Sequence, residues 1–151
     1  MGELTDLELA AWQGLLRVSF RLRRDMGEEL ERRHGLSMAD YDVLVRLAER
    51  PGGALRMAEL ADAVFQPRSS LTRIVDGLER RGLVRREPVP DDARGQRAVL
   101  TSTGRRTFRR AQRTHLSNVQ AWFVDRLDTE QLGQLATIWS QIEQPRDRPA
   151  A

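Results

Sequence analysis

The 151-residue chain has no cysteine and no lysine, and only two histidines, His34 and His115. Without cysteine, structural disulfides, thiolate zinc sites, cysteine nucleophiles and thiol redox switches are all excluded. The two histidines are far apart in the sequence and do not have the close ligand spacing of a metal site. His34 is expected at a helix end and His115 in a half-buried core or interface position. There is no serine-centred glycine elbow, no base–nucleophile arrangement and no glycine-rich phosphate loop, since Pro51-Gly52-Gly53 reads as a turn. Neither an enzyme nor a cofactor is expected. No apolar run approaches the roughly 18 residues of a membrane span. Met1 to Asp6 is acidic and lacks a basic-then-apolar signal pattern, so the expected location is the cytoplasm. No internal repeat or low-complexity tract is present.

Hydrophobic residues make up 40% of the chain and charged residues 31%, which suits a single globular domain with a modest core. A chain short of core often completes it by dimerising. All 25 basic residues are arginine. Coding bias suffices to explain this, but arginine is also the better reader of phosphate and guanine. The net charge of +3 hides an asymmetry: Arg56 to Arg113 holds 14 arginines against 7 acids, a net +7, while the remainder holds 11 against 15, a net −4. A basic centre between acidic flanks suggests a surface for a polyanion, although a solvated, salt-bridged surface would have the same composition.

Thr5 and Glu8 form a capping-box pattern that opens a long helix over 5–33, and His34-Gly35 suits its end. Ser37 caps a second helix over 38–50, with Tyr41, Leu44, Val45 and Ala48 as its apolar stripe. A third helix is predicted over 57–64. A fourth runs over 67–80, with Pro67 in its first turn and Leu71, Ile74, Val75 and Leu78 facing inward. Gly82 ends it. Leu83 to Glu87 and Gln96 to Leu100 suit the two strands of a hairpin, with a polar, turn-rich tip over Pro88 to Gly95. A long helix follows over 102–126. Asp128, with Gln131 three residues on, caps a last helix lined by Leu132, Leu135, Ala136, Trp139 and Ile142. From Pro145 the charged, proline-containing tail is expected to be disordered.

Two short helices followed by a two-stranded hairpin give the order of a winged helix-turn-helix. The predicted fold class is mainly α with a small two- to three-stranded β wing, flanked by N- and C-terminal helices that form a dimerisation region. The fourth helix carries Arg68, Ser69, Thr72, Arg73 and Asp76 away from its apolar face. Arginine can bind guanine bidentately, and serine and threonine reach bases or phosphates, so this surface suits the major groove of double-stranded DNA. A solvated surface helix is the plainer alternative.

The run Leu71-Thr72-Arg73-Ile74-Val75-Asp76-Gly77-Leu78-Glu79 resembles the recognition helix of the multiple-antibiotic-resistance regulator (MarR) family. Gly82-Leu83-Val84, Asp92-Ala93-Arg94-Gly95 and Leu100-Thr101-Ser102-Thr103-Gly104 resemble that family's wing and the opening of its fifth helix. Leu36 to Leu44 fits its second helix. The resemblance covers about residues 5–143.

The resemblance implies a DNA-binding regulator, most often a ligand-responsive repressor, that acts as a homodimer on a pseudo-palindromic operator. Residues 1–151 would form one such domain, with 5–35 and 102–143 for dimerisation and 37–101 as the DNA-binding lobe. Gln66, Arg68, Ser69, Ser70, Thr72 and Arg73 would face the major groove. Arg94 would reach the minor groove, Arg97 a phosphate, and Asp92 would hold the wing in shape, while Asp76 is expected to be structural. Gln66-Pro67 departs from the serine-type cap of many members, which alters the start of this helix. Candidate dimer residues are Leu7, Trp12, Phe123, Leu127, Leu132, Leu135 and Trp139, with an intramolecular core as the alternative. Trp12, Arg17 and Tyr41 could line a cleft for a small aromatic or phenolic effector, with ordinary packing as the alternative. Lacking cysteine, the chain would need an effector that does not react with thiols.

Overall fold

The structure, a computed structural model, describes residues 3–64, 66–89 and 92–143, leaving aside the side chains of Ala93 and Arg94. The expected disordered tail from Pro145 lies outside the described residues. The elements in chain order are α1 (Asp6–His34), α2 (Met38–Ala48), a 3₁₀ turn (Pro51–Gly53), β1 (Ala54–Arg56), α3 (Met57–Ala63), α4 (Arg68–Arg80), β2 (Val84–Val89), β3 (Asp92–Leu100), α5 (Ser102–Trp122), a second 3₁₀ turn (Val124–Arg126) and α6 (Thr129–Glu143). This is the mainly helical, winged architecture expected from the sequence.

The helix starts follow from local chemistry. The Glu8 amide donates to the Thr5 hydroxyl at 3.3 Å, and the Thr5 amide donates to the Glu8 carboxylate at 2.7 Å. The Thr5 hydroxyl also donates to that carboxylate at 2.8 Å, and the two bonds it receives from Thr5 hold the Glu8 carboxyl below its usual value, the backbone one contributing most. Ser37 and Asp40 repeat the reciprocal cap on α2, and Asp128 and Gln131 do so at α6. Gly82 ends α4 in the left-handed conformation at φ 68°. Its amide and that of Leu83 then bond back to the Glu79 and Leu78 carbonyls.

The core is built from helix faces that close on a small sheet. Leu30, Leu36, Leu44, Leu47, Leu60, Leu71 and Leu78 are fully buried, with Val43, Val75 and Val84. Each such burial contributes on the order of 2 kcal/mol before conformational entropy is set against it. No polar or charged residue is buried among the described residues. α2 differs from expectation: Val43 and Leu47 are completely buried, whereas Val45 and Ala48 only pack against the core. The cause is its central position, in contact with α1, α3, α4 and β3, which buries more than one stripe of the helix.

The sheet is antiparallel, in the order β1-β3-β2. β1 is a third strand too short to leave a period in the sequence; it pairs Ala54 with Val99 and Arg56 with Arg97. The hairpin strands run further than expected, to Val89 and back from Asp92. Pro88 pairs with Gln96 but Val89 pairs with Asp92, so 93–95 bulge out of the ladder. Proline has no N–H to donate, which is why the ladder breaks there. Thr101 caps α5, its hydroxyl accepting from the Gly104 amide and donating to the Gly82 carbonyl. A side chain on Gly104 would collide with the Leu83 carbonyl, so glycine lets α5 abut the base of the wing.

The chain divides into two compact units, up to His115 and from Leu116. In the second, α5 stops at Trp122 instead of continuing to 126. Phe123 leaves helical geometry at φ −128°, and the Asp125 carboxylate accepts from the Gln120 side chain across the following turn. No residue of α6 is fully buried within the unit.

Candidate nucleic-acid interface

α4 separates its two faces cleanly. Leu71, Val75 and Leu78 are buried, while Arg68, Ser69, Thr72 and Arg73 are exposed and Ser70 is half-buried. Pro67 is the residue before the helix rather than its first turn, because its ψ of 143° is extended. Among the described residues, no side chain caps the amides that open α4. Gln66 is half-buried, its amide donating to the Ala61 carbonyl at 3.1 Å. The Thr72 hydroxyl donates to the Arg68 carbonyl at 2.9 Å, which orients it and leaves its oxygen free to accept.

The arginines around this face fall into two groups. Among the described residues, no carboxylate lies within ion-pair distance of Arg68 or Arg73. The wing arginines with described side chains are all paired. Arg97 meets Glu87 at 2.6 Å from its cross-strand position, and Arg85 meets the same carboxylate at 2.6 Å. Hydrogen bonds from Arg85 and then Arg97 hold the Glu87 carboxyl below its usual range. Arg86 is pinned between Asp76 at 2.6 Å and Glu79 at 2.8 Å, and also donates to the Thr72 carbonyl. Asp76 is thereby turned towards the wing. Asp92 meets Arg56 at 3.1 Å and folds against Gly95, where a Cβ would strike its carboxylate. A 290 Å³ cleft between the start of α4 and the wing is lined by Arg56, Arg68, Thr72, Asp92 and Gln96, among others.

The structure thus brings Arg68, Thr72 and Asp92 to one cleft, places Ser69 and Arg73 on the same exposed helix face, and sets Arg97 in the adjoining strand. The Arg94 backbone sits in the wing bulge, and its side chain lies outside the described residues. Arg56, Glu79, Arg86 and Glu87 escaped the sequence reading. The partners of Arg56 and Arg97 are set by strand pairing and tertiary approach, for which the sequence has no local signal.

The candidate effector residues are not brought together. Tyr41 is buried, its ring 6.0 Å from Phe108 and 4.7 Å from His115, and burial, then Asp42, pushes its hydroxyl up to about 12. Trp12 is exposed on α1, and Arg17 lies with Leu16, Phe20 and Arg24 along an open groove. His34 ends α1 and shares a 2.8 Å hydrogen bond with Thr114. No group of three or more metal-ligating residues occurs among the described residues. Of the candidate dimer residues, Leu7, Trp12 and Trp139 are exposed, and Phe123, Leu127, Leu132 and Leu135 are half-buried. No described helix is long and apolar enough to cross a membrane.

The MarR family profile matches residues 34–95. AbsC, a MarR family transcriptional regulator from Streptomyces coelicolor, superposes with a TM-score of 0.87 at 37% identity, over 94% of this chain and 95% of AbsC. Sco3205, a MarR family regulator of the same organism solved in complex with DNA, gives 0.86 at 36% identity, over 100% of this chain and 97% of Sco3205. The HTH-type transcriptional regulator PecS of Dickeya dadantii is 30% identical over 105 residues, 69% of this chain. The chain spans 63% of the length of PecS. These relatives are regulators of transcription, not enzymes.

Proposed function

The chain belongs to the MarR family of transcriptional regulators, and from that premise we propose that it binds double-stranded DNA as a homodimer and represses transcription from a pseudo-palindromic operator. The observation that carries this reading is the outer face of α4, where Arg68 and Arg73 stand without a carboxylate partner among the described residues, beside Ser69 and Thr72. Arginines left unpaired next to a wing in which Arg85, Arg86 and Arg97 are neutralised are poised for an external anion. That Sco3205 was solved with DNA supports the same assignment.

In this reading 37–101 is the DNA-binding lobe, and 5–35 with 102–143 dimerise within a single module. Two copies of α4 enter successive major grooves about one helical turn apart. Arg73 and Arg68 read bases or grip phosphates, with Gln66, Ser69, Ser70 and Thr72 around them. Arg94 enters the minor groove, Arg97 exchanges Glu87 for a phosphate, and Asp92 holds the wing through Arg56. Bound across a promoter in the cytoplasm, the dimer blocks polymerase. A small aromatic or phenolic effector that does not need a thiol releases it by favouring a splayed dimer.

The test is a binding titration with the chain's own upstream promoter duplex against scrambled duplex, over a salt series. A promoter preference of about a hundredfold, with affinity falling steeply in salt, is expected. Arg73→Ala should cost about 1–3 kcal/mol and flatten base preference, whereas Arg94→Ala should weaken all sequences alike. Equal, weak binding to both duplexes, unchanged by either substitution, overturns the reading.

A further inference from the structure

α5 carries a second arginine cluster that makes none of the proposed DNA contacts; it lies in the proposed dimerisation segment 102–143 but ahead of Phe123, the first candidate dimer residue there. Its sequence from Ser102 to Trp122 contains Arg105, Arg106, Arg109, Arg110 and Arg113 and no acid at all. At the helical step of about 100° per residue, these five span roughly 140° of arc. Gly104, Phe108 and Ala111 occupy the other side, where α5 is buried. Arg106, Arg109, Arg110 and Arg113 are exposed and Arg105 is half-buried. Among the described residues none of the five has a carboxylate within ion-pair distance. The cluster acts on its surroundings: burial first, then Arg110, Arg33 and Arg113, lowers the His34 pKa, and the opposing Glu29 is already held by Arg32 and Arg33.

The cluster lies at the wrong end of the lobe for DNA. The start of α4 and Asp92, Gly95 and Gln96 of the wing share one cleft. α5 instead starts against Leu83 and Leu100, at the opposite end of both elements, with the Arg105 guanidinium near Gly53. Leu100 pairs with Val84 and Asp92 with Val89, which are five residues of strand apart, roughly 17 Å. A duplex seated on the start of α4 and the tip of the wing would lie at the other end of the lobe. The five guanidiniums extend over about 12 Å of helix, more than one small anion spans. Each offers a planar fork that matches a carboxylate.

We propose that the outer face of α5, Arg105 to Arg113, is a docking surface for an acidic polypeptide segment, which can bind while DNA occupies α4. The partner is a chain rich in aspartate and glutamate, held by charge-assisted hydrogen bonds rather than by an apolar anchor.

The probe is a labelled peptide of alternating glutamate and serine, with a glutamine version as control, followed by fluorescence anisotropy at about 0.1 M salt. It is titrated first onto the free full-length chain and then onto chain saturated with promoter duplex. Failure of duplex binding therefore leaves the first titration intact. The glutamate peptide should bind in both cases and the glutamine version in neither. Combining Arg106→Gln, Arg109→Gln and Arg110→Gln should weaken the peptide at least about tenfold, as expected for several half-solvated pairs lost together, with promoter binding and thermal melting unchanged. Arg113→Gln alone should give a smaller loss in the same direction. Peptide binding should also move the His34 ring titration, followed by NMR, to higher pH, because added carboxylates offset Arg110 and Arg113. Displacement of the peptide by duplex, an equal loss on replacing Arg68 and Arg73, a static His34 titration or unaltered peptide affinity in the triple variant would each overturn the proposal. So would a triple variant that loses affinity for long promoter DNA.

Discussion

α4 and α6 carry apolar stripes of the same helical spacing, yet the two stripes meet different fates. Leu71, Val75 and Leu78 of α4 are sealed into the core by α2, α3 and β2. Leu132 and Leu135 of α6 are only half-buried within their unit, and Trp139 and Ile142 remain 37% and 60% exposed. Amphipathic periodicity specifies that a face must be covered and does not specify by what. The α4 stripe is satisfied within the chain, which leaves its polar face for a ligand. The α6 stripe asks for a partner, which is the physical argument for the proposed homodimer.

The largest effect that would sharpen this contrast is expected at Leu78. Leu78→Ala should cost about 2–5 kcal/mol by opening a cavity in a sealed core. The loss, read by chemical denaturation, should be the same at low and high protein concentration. A loss that disappears on concentrating the protein would place α4 with the interface helices. Next is Trp139→Ala. It should raise the dimer dissociation constant about tenfold to a hundredfold in sedimentation equilibrium, and leave the lobe's secondary structure intact. If the unmodified chain sediments as a monomer at micromolar concentration, the dimer and the reason for the exposed stripe both fall.

The smallest effect concerns pH and belongs wholly to the first unit. Burial lowers the pKa of both His34 and His115 from 6.5; Arg110, Arg33 and Arg113 add to this at His34, and Arg23 adds to it at His115 while Asp42 opposes. The folded form therefore holds these rings neutral. Above about pH 6.5 neither state is protonated and stability is fully present. As pH falls below that value the unfolded chain takes up protons first, and stability declines down through the lowered folded values. Thermal melts between pH 7.5 and 5 should show the decline, and His115→Gln should flatten it. A slope of opposite sign would mean that one ring is charged in the folded protein.

The residues that were legible in advance share one property, which is that their partners lie within a few positions. Thr5 with Glu8, Ser37 with Asp40 and Asp128 with Gln131 fix helix starts through bonds three residues apart. The stripe of α4, and hence the free face bearing Arg68, Ser69, Thr72 and Arg73, follows from helical period alone. Less was legible where the chain returns on itself. The hairpin strands were expected, but not that they extend to Val89 and Asp92 around a bulge. α2 was expected to bury one stripe, and its neighbours bury Val43 and Leu47 as well.

By itself the sequence determined the order of helices and hairpin, the two faces of α4 and the absence of thiol chemistry, because each rests on residue identity or on short-range periodicity. Only the tertiary structure decided which arginines are free. Arg56 is neutralised by Asp92 from 36 residues away, Arg97 by Glu87 across the hairpin and Arg86 by Asp76 and Glu79 of α4, while Arg68, Arg73 and the outer face of α5 keep their charge unpaired among the described residues. Charge counts as composition in a sequence, but as a field it depends on which opposite charges the fold brings within a few ångströms.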